Sequence, residues 1–174
     1  MELLVLPYDS AHGDSLLARL ITELTEGGWS RFRAAVAFAR LSGNALELVE
    51  ALKQFLQSGG KVSLTFGANT FGPDEAGSDL EAIKQLVDAV GSSPDAQFFL
   101  YHEAGRTFHP KVYLFDRASE NSALLIVGSS NWTRGGHFEN VEVCALLDLD
   151  LKREDHSQIY QKISHHFENH WREL

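Results

Sequence analysis

Thr107-Phe108-His109-Pro110-Lys111-Val112-Tyr113-Leu114-Phe115-Asp116 runs into an apolar strand, and Gly128-Ser129-Ser130-Asn131 closes the next apolar run, Ala123 to Val127. Residues two apart on a strand face the same side, so His109 and Lys111 project together while Pro110 and Val112 point the other way. A nucleophile and a cation then share one face. Asp116 lies seven positions from His109, an odd number, and a regular strand directs it away from the imidazole, so it reads as structural. By the same parity Ser129 and Asn131 project together where the strand turns into a Gly/Ser-rich loop, placed to bind an oxyanion. Trp132-Thr133-Arg134-Gly135-Gly136 prolongs that loop, and its backbone N–H groups can add phosphate contacts.

Working outward, the first half alternates strand and helix: strand near 2–6, helix near 14–26, strand near 32–39, helix near 43–57, strand near 61–66. Leu46, Val49, Leu52, Phe55 and Leu56 recur at helical spacing, and Gly59-Gly60 stops that helix before Lys61. Gly67 to Gly77 reads as a loop at a strand end. Ser78-Asp79-Leu80-Glu81 fits a capping box, opening a helix with Leu80, Ile83, Leu86, Val87 and Val90 as its buried stripe and an end near Gly91. Strands then crowd together at Gln97–Tyr101, Pro110–Phe115, Ala123–Val127 and Val141–Leu147. A last helix near 154–171 carries Ile159, Ile163, Phe167 and Trp171 at spacings of four. The expected fold class is α/β, a mixed β-sheet flanked by helices on both faces, in a single domain spanning 1–174 with no internal repeat.

With 174 residues, 44% of them hydrophobic, the chain can bury one core and is too short for two ordinary domains. Its longest apolar stretches, Ala34 to Ala39 and Ala123 to Val127, fall far short of the roughly 20 residues a membrane-spanning helix needs. Met1 to Pro7 lacks the basic region and cleavage site of a secretory signal. The single cysteine, Cys144, sits in an apolar strand pattern and reads as a buried small hydrophobe, so the chain is read as cytoplasmic and reduced. A formal charge of −9 argues against indiscriminate binding along a nucleic-acid backbone, whose affinity comes from Lys and Arg displacing counterions. Any phosphate site must be local, and Arg40, Arg106, Lys111 and Arg134, at or beside strand ends, are the cations that could gather there.

Taken together, His109-x-Lys111 with Asp116, Gly128-Ser129-x-Asn131 in the next strand, and the triplet Asn140-Val141-Glu142 resemble the signature of the phospholipase D superfamily. The order of elements also resembles that family's half-domain, so the likeness covers nearly the whole chain, with the specific motif in 109–142. One departure is that eleven residues separate Asp116 from Gly128, a longer spacing than the family pattern, which reads as a longer hairpin turn within Arg117 to Ser122. The resemblance implies a two-step displacement through a covalent phosphohistidine. His109 would attack phosphorus, Lys111 and Asn131 would hold the non-bridging oxygens, and Ser129 would support that anion site. Glu142 would accept a hydrogen bond from the other imidazole nitrogen and fix the tautomer. Arg134, Trp132, Arg106 and Ser130 are the expected substrate-binding residues, and no metal or cofactor is implied. In the family a second motif supplies the histidine that protonates the leaving oxygen. With one motif, the resemblance implies a homodimer sharing one site, or a module of a larger protein whose second motif lies elsewhere.

The wording of Thr107 to Lys111 and of Gly128 to Gly136 is most similar to small single-motif members, namely metal-independent endonucleases and nuclease-like domains joined to helicases. The expected function is therefore a DNA or RNA phosphodiesterase, with nucleic acid as substrate and a helicase or other partner domain supplying affinity that the acidic chain lacks. Two alternatives stay open. A phospholipase-type lipid phosphodiesterase would need an exposed apolar rim, for which Phe71, Phe108 and Trp132 are the candidates. A non-catalytic phosphate-binding or dimerisation module would not need a free nucleophile. Of the other histidines, His102 and His137 flank the motif and could line the cleft, and His12 leads toward a helix cap. His166 and His170 stand one turn apart on a solvated helix face without the pattern of a zinc motif.

Overall fold

Seven strands form one mixed sheet in the computed structural model, which describes residues 1–9, 14–68 and 78–172. They are β1 (Glu2–Leu6), β2 (Arg31–Val36), β3 (Lys61–Gly67), β4 (Ala96–Tyr101), β5 (Lys111–Arg117), β6 (Ser122–Gly128) and β7 (Glu142–Asp150), in the order β1-β7-β6-β5-β2-β3-β4. β2, β3 and β4 are parallel, because helices α2 (Leu46–Gln57) and α3 (Leu80–Val90) carry the chain back between them. Every other pairing is antiparallel. The remaining helices are α1 (Leu16–Thr25) and α4 (Glu154–Asn169).

Alternation along the strands divides the core in two. Phe32, Ala34 and Val36 of β2, Tyr113 and Phe115 of β5, and Leu124 and Ile126 of β6 meet α1, α2 and α3 on one face. Ala35, Val112, Leu114, Ala123 and Leu125 meet Ile163 and Phe167 of α4 on the other. Ser15 caps α1, its Oγ accepting from Ala18 N at 3.0 Å, and Leu16, Leu20 and Leu24 form the buried stripe. Gly59 follows α2 at φ 90°, a left-handed conformation that a side chain would strain.

Three expectations shift. Asp79, not Ser78, caps α3, its Oδ1 accepting from Glu81 N at 3.0 Å, while Ser78 Oγ instead accepts from Ala39 N. The α3 stripe is Ala82, Ile83, Leu86 and Val90, leaving Leu80 and Val87 exposed. Ile159 on α4 also turns outward, because a strict four-residue repeat drifts around a helix of 3.6 residues per turn. In the Arg117 to Ser122 hairpin, β5 and β6 pair out to Arg117 opposite Ser122 around a 3-10 turn, Ala118–Glu120. The Gly67–Gly77 loop, Phe71 and His12 lie largely or wholly outside the described residues.

A buried ion pair fastens α4 to the sheet. Arg33 is fully buried, and its Nη2 donates to Asp116 Oδ2 at 2.7 Å and to Ser164 Oγ at 3.0 Å. Arg31 Nε donates to the same carboxylate at 3.1 Å and its Nη2 donates to the Tyr160 hydroxyl at 3.1 Å. Asp116 is therefore structural, on the face opposite Lys111. Removing one partner of such a pair strands a buried charge. Asp116→Asn should lower the unfolding free energy by about 3–5 kcal/mol in urea titrations. Glu168→Gln, whose carboxylate is 44% exposed and 3.4 Å from Arg33, should cost less than about 1 kcal/mol. Equal losses would contradict this account.

Candidate active site

The ends of β2, β3, β4 and β6 and the starts of β5 and β7 all meet at one edge of the sheet. An open depression there is lined by His109, Lys111, Gly128, Ser129 and Asn131. Lys111 begins β5 and is buried but for 7% of its surface, whereas His109 just before the strand is exposed. Lys111 Nζ lies 2.8 Å from His109 Nδ1 and 2.9 Å from Nε2. An ammonium can donate only to a ring nitrogen that carries a lone pair, so which nitrogen accepts here follows the imidazole tautomer.

Burial, and then the charge of Lys111, lower the pKa of His109 below its ordinary 6.5. Burial likewise lowers Lys111, and the Glu142 carboxylate opposes that fall. The lowered His109 favours an uncharged imidazole in the site.

Hydrogen bonds fix the oxyanion-side residues. Asn131 Oδ1 accepts from Phe38 N at 3.1 Å, which leaves the amide N–H groups as the atoms available to a ligand. Ser129 Oγ accepts from Val143 N at 3.1 Å and keeps its hydroxyl proton to donate. A Cβ at Gly136 would overlap the backbone of Asn131, so only glycine lets that loop close.

The other expected residues land elsewhere. Glu142 Oε1 accepts from Asn140 Nδ2 at 3.3 Å and makes no hydrogen bond to His109. Its tie to the site is electrostatic, through Lys111. Ser130 is fully buried with its Oγ 3.2 Å from Cys144 Sγ, and Trp132 is fully buried with its Nε1 donating to Asn44 Oδ1 at 2.9 Å. Strand alternation continues past β6, turning Ser129 and Asn131 outward and Ser130 and Trp132 into the core, so neither side chain of the latter pair lines the depression. Arg106 is an exposed partner of Glu103, Arg134 is an exposed partner of Glu139, and neither lines the depression. His102 is exposed and outside the lining; His137 is fully buried against Trp132 in the π-helical turn Gly135–Glu139. Cys144 is a buried free thiol.

Phe38 is the residue that the sequence did not single out. Its ring stands edge-on to His109 at 5.7 Å, Lys111 Nζ lies 5.9 Å from its centroid, and its backbone N–H pins Asn131. Its only signal was its place at the end of the Ala34–Ala39 run.

Residues 30–171 match the family model described as cardiolipin synthase, PLD-like domain. Comparison with curated proteins gives no match. Among solved structures, NucT from Helicobacter pylori superposes with a TM-score of 0.62 at 18% identity, over 96% of this chain and 92% of that one. Nuc from Salmonella typhimurium, a phospholipase D family member, gives 0.61 at 16% identity over 98% and 93%. Polyphosphate kinase from Porphyromonas gingivalis gives 0.58 at 14% identity, over 97% of this chain but 22% of that one. At these identities the likeness concerns the fold.

Two measurements probe the site's electrostatics. Because the Lys111 charge holds His109 down, Lys111→Met should raise the His109 pKa, read from imidazole NMR shifts, and an unchanged value would rule out the coupling. His137 has both ring nitrogens unpartnered among the described residues and a pKa pushed down by burial to about 4. The unfolded chain then binds the extra proton first, so stability is intact above pH 6.5 and is lost as pH falls toward 4, by roughly 3 kcal/mol. His137→Phe should flatten that acid slope in denaturation curves.

Proposed function

The chain belongs to the phospholipase D-like family and so to the phosphodiester hydrolases, and we propose that it is a metal-independent phosphodiesterase acting on DNA or RNA. The observation that carries this reading is the His109 imidazole held 2.8 Å from Nζ of the nearly buried Lys111, with Ser129 and Asn131 on the same depression. Lys111, Ser129 and Asn131 meet the non-bridging oxygens of a bound diester, and as the ammonium turns to them it releases the imidazole lone pair. His109 attacks phosphorus, the bond to the leaving oxygen breaks, and a protonated second imidazole gives that oxygen its proton. Water then attacks the phosphohistidine, passing its proton back to the second imidazole and freeing His109 with a phosphomonoester. Glu142 serves this cycle by keeping Lys111 charged, rather than by orienting His109.

Among the described residues a single imidazole lines the depression, which supports a second one supplied by another copy of the chain related by a two-fold axis. Exposed Val127, Val141 and Val143 beside Ser129 offer apolar surface for that contact. A nucleic-acid substrate is preferred to a lipid because Phe108 and Trp132, two of the residues that would form a lipid-binding rim, are buried. A helicase or other partner domain would supply the backbone affinity that a charge of −9 withholds.

The test is hydrolysis of a chromogenic diester, oligonucleotides and phospholipid vesicles in EDTA. Activity should persist, favour oligonucleotides over vesicles, and fall by roughly 10²–10⁴-fold or more in His109→Ala. Loss on chelation would sink the histidine mechanism. Heterodimers of wild-type and His109→Ala chains should be almost inactive, whereas half-activity would mean independent sites.

A further inference from the structure

At the opposite edge of the sheet, where β2 and β3 begin, a depression is lined by Arg31, Arg33, Lys61 and Arg172 together with Ser63 and Gln97. It lies roughly 16 Å along β2 from the catalytic edge, at about 3.3 Å per residue. Arg33 and Asp116 belong to the face that α4 covers, the reverse of the Lys111 face. Asp95 is the one carboxylate in its lining. With Asp116 and Glu168 behind Arg31 and Arg33, four cations meet three acids, a local excess of positive charge in a chain with 24 acidic and 15 basic residues.

One of the lining residues has an unmet bond. Arg33 is fully buried, yet its Nε has no hydrogen-bond partner among the described residues, while its Nη2 is committed to Asp116 and Ser164. Buried donors are nearly always satisfied, so an unsatisfied one needs an explanation. The surrounding charges are also under-compensated. Arg31 and Arg33 share the single charge of Asp116, and their ion pairs to Glu168 are long, at 3.3 and 3.4 Å. Lys61 is 68% exposed and 3.9 Å from Asp95, and Arg172 lies 5.6 Å from the centroid of the Phe99 ring. Burial, and then the charge of Arg31, lower the pKa of Arg33, which an added anion would relieve.

We propose that this depression is an oxyanion site for a phosphate group, separate from the His109 site. Planar guanidinium groups match the geometry of phosphate oxygens, Lys61 adds a mobile ammonium, and the Ser63 hydroxyl adds a neutral donor. The phosphate can belong to a nucleic-acid strand held away from the scissile bond or to a free phosphate ion, and the experiment separates them.

Inorganic phosphate is titrated into the full chain at constant ionic strength, following the Arg33 Nε–H resonance by NMR. A saturable shift is expected. The double variant Lys61→Gln/Arg172→Gln, altered only at exposed side chains, should weaken binding at least tenfold, and Glu168→Gln should strengthen it several-fold by removing an opposing carboxylate. No saturable shift, or unchanged affinity in the double variant, would overturn the proposal. Chromogenic diester hydrolysis should be unaffected by the double variant. A rise of about tenfold in KM for an oligonucleotide then identifies a strand phosphate, and an unchanged KM with phosphate binding lost identifies free phosphate. The NMR readout does not depend on turnover, so its failure and a failure of the phosphodiesterase reading are distinguishable.

Discussion

One buried carboxylate, Asp116, sets the alignment on which both ends of this molecule depend. It neutralises Arg33 across the β2–β5 pair, in the register that places Arg31 opposite Asp116 and Val36 opposite Lys111. A slip of one residue would send every side chain of a strand to the wrong face and leave a fully buried guanidinium unpaired. The same register sets the edge that carries His109 and Lys111, where Ala37 N donates to Pro110 O at 2.8 Å and fixes the residue just before Lys111. A structural ion pair at one end of β5 thus positions the ammonium at the other, five residues away and on the opposite face.

The site itself is an arrangement of loops held by rigid strands. Phe38 continues β2 and grips Asn131, whose following residue, Trp132, anchors the loop in the core between Tyr113 and Phe66. Tyr113 donates to Ser130 O at 3.0 Å, tying β5 to the loop that follows β6. Ser129 is locked to β7 through Val143. Ser129 and Asn131 are therefore each fixed from behind by a bond made away from the depression, which is what electrostatic stabilisation of a developing charge requires. Behind the loop, His137 stays neutral in an apolar setting, placing an acid-sensitive group next to the segment that carries Asn131.

Local periodicity made much of this legible in the sequence. Strand spacing paired His109 with Lys111 and Ser129 with Asn131, and the same parity excluded Asp116. It also carried a warning that went unused, since Ser130 and Trp132 fall on the opposite parity and are both buried. Capping at α3 was misjudged by one residue because Ser78 finds a partner in Ala39, far away in sequence. The tie between Glu142 and His109 did not form because Asn140, in the turn before β7, takes up the carboxylate.

The sequence by itself determined the alternation of elements, the mixed sheet with helices on both faces, and the placement of the His109 imidazole, the Lys111 amine and the Asn131 amide on one surface. These follow from patterns two to four residues long, which local sterics and the burial of apolar faces dictate. Only the tertiary structure decided what each polar group bonds to: Asn131 to Phe38 across 93 residues, Arg33 to Asp116 across 83, and the gathering of Arg31, Lys61 and Arg172 at the far edge. Such pairings depend on strand order and register, which are global outcomes of closing long loops against a shared core, and no local spacing encodes them.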